Sequence, residues 1–181
     1  MRRAPLVIGL AVVGAIGSIA LAAQQAPYPP AKPQALAPAG SLQRGGQLVM
    51  LGGCDDCHTP KLQGGVPDMA RRFSGHPANG PLPPEAAGAI TTNMMLTAWR
   101  GPWGLSLTAN ITPDPETGIG KWTAADFKKT IRTGVDPAGY VLKPPMPIEV
   151  LQNLPDQDLE AIFRFLKSQK PVRNAIGRTA K

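Results

Sequence analysis

The sequence has 181 residues, enough for one ordinary domain with extensions and too few for two of full size. Its 20 Gly and 21 Pro stand beside only three Trp, two Tyr and four Phe, which excludes a large aromatic core, and two Cys allow at most one disulfide. The formal charge of +7 is spread along the chain instead of clustering among aromatics, which argues against a nucleic-acid partner.

Arg2 and Arg3 precede an uncharged apolar run from Ala4 to Ala23, and Ala20-Leu21-Ala22 offers a small-x-small cleavage site. Residues 1–22 therefore read as an export signal, although a run of about 20 residues also suffices for an uncleaved membrane anchor. Either way the remainder is expected in the periplasm or on the periplasmic side of the inner membrane, with any membrane association made through this segment. Removing Arg2 and Arg3 lowers the formal charge from +7 to +5. Residues 23–40 are proline-rich without apolar periodicity and read as a semi-rigid linker. Folded structure is expected over 41–174, followed by a tail at 175–181.

The first predicted helix runs from Ser41, as N-cap, to about Leu51, with Leu42, Leu48, Val49 and Met50 mostly on one side. Gly45 and Gly46 weaken it by about 1 kcal/mol each relative to Ala. They suit a place where another helix must cross closely. From Thr59 to Lys121 Gly, Pro, Asn and Thr dominate, and so long an irregular stretch is generally functional or wrapped around something. A second helix is predicted at Thr123–Thr133, capped by Thr123 with Asp126 at its third position and stopped by Gly134. The last helix is predicted from about Pro155 to Gln169, acidic early and basic late. Its stripe of Leu159, Ile162, Phe163 and Leu166 must be buried. No strand is predicted.

A small loop-rich domain with so little core needs a metal or prosthetic group as a staple. Cys54-Asp55-Asp56-Cys57-His58 supplies the means: Cys-x-x-Cys-His is the attachment signature of c-type haem. Two thiols one turn apart reach two vinyl groups on one porphyrin edge as thioethers, and the next residue offers its imidazole to the iron. A zinc site would need four ligands, and beyond this cluster the chain has one further His and no further Cys. A thioredoxin-like redox pair needs a βαβ setting, which is absent. A plain disulfide would leave His58 and the missing core unexplained.

A sixth iron ligand must come from far along the chain. Met146 lies in Leu142-Lys143-Pro144-Pro145-Met146-Pro147, where each proline fixes its own φ and restricts the residue before it. A thioether on so stiff a strap is a good ligand for haem iron and raises its potential. His76 is the second candidate, its plainer reading being a surface histidine beside Pro77. Met50 suits the buried face of the first helix, Met94 and Met95 read as core, and Met69 lies close in sequence to His58.

These motifs, together with AsnIleThrProAspProGluThrGlyIleGlyLysTrp at 110–122 and the LeuProAspGlnAspLeu helix start, resemble a class I cytochrome c. The similarity covers about residues 41–174. It is nearest to the domains of membrane-bound dehydrogenase cytochrome subunits of the gluconate and alcohol dehydrogenase type, which carry three such domains where this sequence has one. The resemblance implies an all-α fold, with few helices around one covalent haem c and the first and last helices crossing. It also implies Cys54 and Cys57 as attachment sites, His58 as proximal ligand and Met146 as distal ligand. The expected function is single-electron transfer between a dehydrogenase or other donor and a respiratory acceptor, without turnover of its own. A haem-based sensor or small-ligand binder with an open sixth position is the alternative. A peroxidase would need an acid–base residue that only His76 could supply. Trp103, Trp122, Asn110 and Tyr140 are candidates to line the pocket, or simply pack loops. Lys61, Lys121, Lys128, Lys129 and Lys143 are candidates to steer an acidic partner, or are solvated surface.

Overall fold

Ser41 begins the first helix as its sequence requires: its backbone is extended and its Oγ accepts from the Arg44 N–H at 3.1 Å. The computed structural model of the chain describes Lys32 and residues 34–177. The export signal or anchor, most of the linker up to residue 33 and the tail beyond 177 lie outside the described residues. The chain divides into two units, Met1–Gln34 and Ala35–Lys181, and every described helix and strand belongs to the second.

Helix α1 spans Leu42–Leu51 and helix α5 spans Asp156–Lys167. They cross at the two glycines. A Cβ on Gly45 would run into the Ala161 carbonyl oxygen, and one on Gly46 would stand 2.9 Å from the Phe165 ring. Helix α3, Ala124–Thr133, opens with a reciprocal capping box between Thr123 and Asp126 and closes on Gly134 at φ 69°. Leu159, Ile162, Phe163 and Leu166 of α5 are buried as expected, and join Val49 of α1 with Phe127 and Ile131 of α3 in one core. Phe127 and Phe163 meet with ring centroids 5.5 Å apart. Two short helices complete the set: α2 at Cys54–His58 and α4 at Ile148–Leu151. Among the described residues no helix is long and apolar enough to cross a membrane.

The fold is not all-α. Strands β1 (Thr91–Thr92), β2 (Ala98–Gly101) and β3 (Gly104–Leu107) form an antiparallel sheet in that order, with Thr92 opposite Trp99 and Trp99 opposite Ser106. Strands of two to four residues are too short to carry the alternation that marks a strand in sequence. The sheet occupies the stretch read as irregular. Three side-chain expectations also change. Met50 is 73% exposed, rotated off the face that buries Val49, and Met94 is 92% exposed in a turn. His76, far from being a surface histidine, is 2% exposed.

Candidate functional site

The turn Gly52-Gly53 separates α1 from α2, with Gly53 in the left-handed region at φ 62°, so that α2 starts at once on Cys54. Asp55 locks this helix from outside. Its carboxylate takes two hydrogen bonds from Arg72, at 2.8 and 2.6 Å, and one from the Thr59 hydroxyl at 3.0 Å. Burial alone would raise its pKa, but the Arg72 and Thr59 hydrogen bonds outweigh that and hold the carboxyl below the usual range. The same Thr59 hydroxyl accepts from the Phe73 N–H at 3.1 Å, and the Gly75 N–H donates to the His58 carbonyl at 2.7 Å. A five-residue helix has almost no stability of its own. These external bonds supply it.

His58 is 8% exposed, and its Nδ1–H donates to the Ala109 carbonyl at 2.8 Å. A carbonyl only accepts, so the proton is on Nδ1, and a ring held in this tautomer coordinates metal through Nε2. Sequence reasoning missed Ala109 because a main-chain acceptor leaves no mark in residue type. Cys54 and Cys57 carry thiols unlinked to each other. Burial, helped by the charge of Asp55, pushes the Cys54 thiol up to about 11, and burial raises that of Cys57 as well. Both sulfurs are therefore kept neutral.

Cys54, Cys57, His58 and Met146 line a single cavity of about 810 Å³. That is toward the upper end of the range for pockets that enclose a small molecule. Met146 is half-buried against the helical core. Its segment is tied at both ends, by Leu142 N–H to the Gly134 carbonyl at 2.7 Å and by Ile148 N–H to the Met146 carbonyl at 2.9 Å. Asn110, Trp122 and Tyr140 also line the cavity, whereas Trp103 does not. The Asn110 amide is engaged by Thr117, Val172 and Thr112, so it organises the loops that form the wall. Of the lysines, Lys121 and Lys143 stand at the cavity, with Lys121 paired to Glu116 at 3.0 Å. Lys128 and Lys129 do not line it. Lys61 is not a surface charge: it is 9% exposed and bonded to main-chain carbonyls.

His76 takes no part in the cavity and bonds through Nδ1 to Thr97 Oγ1 at 3.0 Å. Met50, Met69, Met94 and Met95 are absent from the lining too. Among the side chains at the cavity are thus two thiols, one oriented imidazole and one thioether. These fit a covalently attached haem, whose iron accepts His and Met ligands.

No protein-family model matches the chain. Over 135 residues it is 36% identical to a nicotinate dehydrogenase component of Pseudomonas putida, covering 75% of this chain and 9% of that protein. It is 33% identical to the gluconate 2-dehydrogenase cytochrome c subunit of Pantoea cypripedii, over 74% of this chain and 24% of that one. With the cytochrome c subunit of quinone alcohol dehydrogenase from Gluconobacter oxydans the identity is 31%, over 72% of this chain and 22% of that protein. The chain therefore spans a quarter or less of the length of these relatives.

Proposed function

Because the chain is a relative of the cytochrome c subunits of dehydrogenases, we propose that it is a monohaem electron carrier. Cys54 and Cys57 attach the haem as thioethers, His58 is the proximal iron ligand and Met146 the distal one. The reading is carried by one observation: two thiols and an imidazole from α2, and a thioether from a distant segment, converge on one cavity. Bound there, haem c supplies reversible one-electron chemistry at its iron.

The residues around the cavity do the rest. The Nδ1–H bond to Ala109 fixes the tautomer and tilt of His58 and makes the ring a stronger ligand. The turn around Met146 presents a soft sulfur that favours the reduced state. Apolar side chains such as Ile119 and Phe127 keep water from the site and sustain that preference. With His58 and Met146 both holding the iron, no place would remain there for a substrate, and the role would be transfer and not turnover. The donor is a dehydrogenase and the acceptor a respiratory component. The basic-apolar N-terminal segment supports export to the periplasmic side.

The test is spectroscopic. The reduced protein should show a c-type spectrum whose colour survives acidified acetone. The oxidised protein should show a methionine–iron charge-transfer band that Met146→Ala abolishes. A band unchanged by that substitution would refute the ligand, and loss of all colour to acetone would refute the attachment. Rapid carbon monoxide binding by the unmodified reduced protein at neutral pH would favour the sensor alternative.

A further inference from the structure

Lys61 carries a charge that is neither solvated nor spent on a partner surface. It is 9% exposed, and its ammonium donates to the main-chain carbonyls of Asp55 at 3.3 Å, of Asp56, and of Thr59 at 2.8 Å. These carbonyls gather at the C-terminal end of α2, where a helix presents its negative dipole end; that of Asp55 also accepts the Thr59 N–H at 3.1 Å. Of the neighbouring carboxylates, that of Asp55 is committed to Arg72 at 2.6 Å, and Asp56 meets the ammonium through its backbone. Lys61 itself is held by a bridge to Pro67 and by the Asp68 N–H bond to the Pro60 carbonyl at 2.8 Å. The cation is thus built in against the end of the helix that carries Cys54, Cys57 and His58.

We propose that Lys61 is an internal cation that raises the reduction potential of the cofactor held by α2. The proposal rests on the haem reading above. A one-electron reduction lowers the positive charge at the iron, and a nearby fixed cation favours the state of lower charge. Burial among carbonyl dipoles leaves the interaction less screened than at a surface lysine. No proton moves: the electron comes from the donor, and Lys61 only biases where it resides. Lys61 is therefore a positioning and tuning residue, not a docking charge.

The experiment is a spectroelectrochemical titration of the haem-loaded full chain, with Lys61→Gln and Lys61→Met compared against Lys129→Gln as an exposed control. Lys61→Gln leaves a donor for the carbonyls while removing the charge. At the midpoint potential of the unaltered protein, both Lys61 variants should stand several-fold more oxidised than reduced, with the methionine–iron band retained. The Lys129 control should stay near one to one. A Lys61→Gln protein with unchanged midpoint overturns the proposal. So does failure of both variants to yield haem-attached protein, since the lysine would then be a scaffold requirement of α2. If the unaltered chain itself holds no acid-stable haem, it is the haem reading that falls instead.

Discussion

Asp158 is 3% exposed on α5, and Arg44 of α1 reaches it with Nε at 3.2 Å and a terminal nitrogen at 2.9 Å. Both helices place one charge at the crossing, and each is tolerable only because of the other. Arg44→Met keeps the aliphatic stem but leaves a buried carboxylate alone, a change that typically costs about 3–5 kcal/mol. Asp158→Leu added to Arg44→Met should recover most of that loss in urea denaturation. A double variant no more stable than the single would show that the pair's geometry, and not the stranded charge, is what matters. His76 poses a different residue-scale problem. Burial holds its imidazole below the ordinary value, while the unfolded chain takes up the proton at about pH 6.5. The folded state therefore binds fewer protons in that window, and its stability is full above about pH 6.5 and declines as pH falls through the folded value. His76→Gln removes this dependence. Its deficit in stability relative to the unaltered protein should be constant above about pH 7.5 and should shrink on acidification below 6.5. A deficit that stays constant down to pH 5 would clear His76 of any share in acid lability.

At the scale of elements, the α1–α5 crossing is set by two adjacent glycines with unequal demands. A Cβ on Gly45 would run into the main chain at Ala161, which cannot move without displacing α5, whereas one on Gly46 would meet only the far end of the Phe165 ring. In a free helix either change to Ala would gain about 1 kcal/mol. Here Gly45→Ala should destabilise by several kcal/mol, as overpacking in a core does. Gly46→Ala should stay within about 1 kcal/mol of the unaltered protein. Thermal unfolding followed by circular dichroism would separate them, and equal effects would mean that the helices are free to slide apart. The crossing is legible in the sequence because glycines inside an otherwise apolar helix need a reason. Helices α3 and α5 are legible because Thr123, Asp126, Gly134 and the Leu159–Leu166 stripe are local signals. The sheet is not. Its pairing is fixed by the turn at Pro102-Trp103 and by non-local bonds such as Thr108 N–H to the Thr97 carbonyl at 2.9 Å. The burial of His76 is hidden for the same cause, because Thr97 is brought to it by the fold. The acceptors of Lys61 are close in sequence, but they are main-chain carbonyls, and residue type carries no trace of them.

For the molecule as a whole, the cavity is the largest fact, because it lies where α1, α2, α3 and the Met146 segment should be packing on one another. Cavity formation costs about 24 cal/mol per Å³, so even a third of 810 Å³ left unfilled would cost on the order of 6 kcal/mol. A domain of this size has only about 5–15 kcal/mol in all. Elements that are individually weak, such as the five-residue α2 and four-residue α4, contribute only partly buried side chains to the core, among them Cys54, Ile148 and Leu151. Folding and cofactor attachment should therefore be one process. The variant carrying both Cys54→Ser and Cys57→Ser, which cannot form thioethers, should lose acid-stable colour. It should also lose much of its helical circular dichroism and its cooperative thermal transition, while residual helix in α5 survives as a fluctuating segment. A double variant that kept a sharp transition without haem would mean that the walls collapse into a self-sufficient core, and the cavity would then be a consequence of binding instead of its precondition. Single variants distinguish the two thiols: one remaining thioether should still hold the haem, and the cooperative transition should persist at a lower temperature, because the filling of the cavity and not the number of bonds sustains the fold.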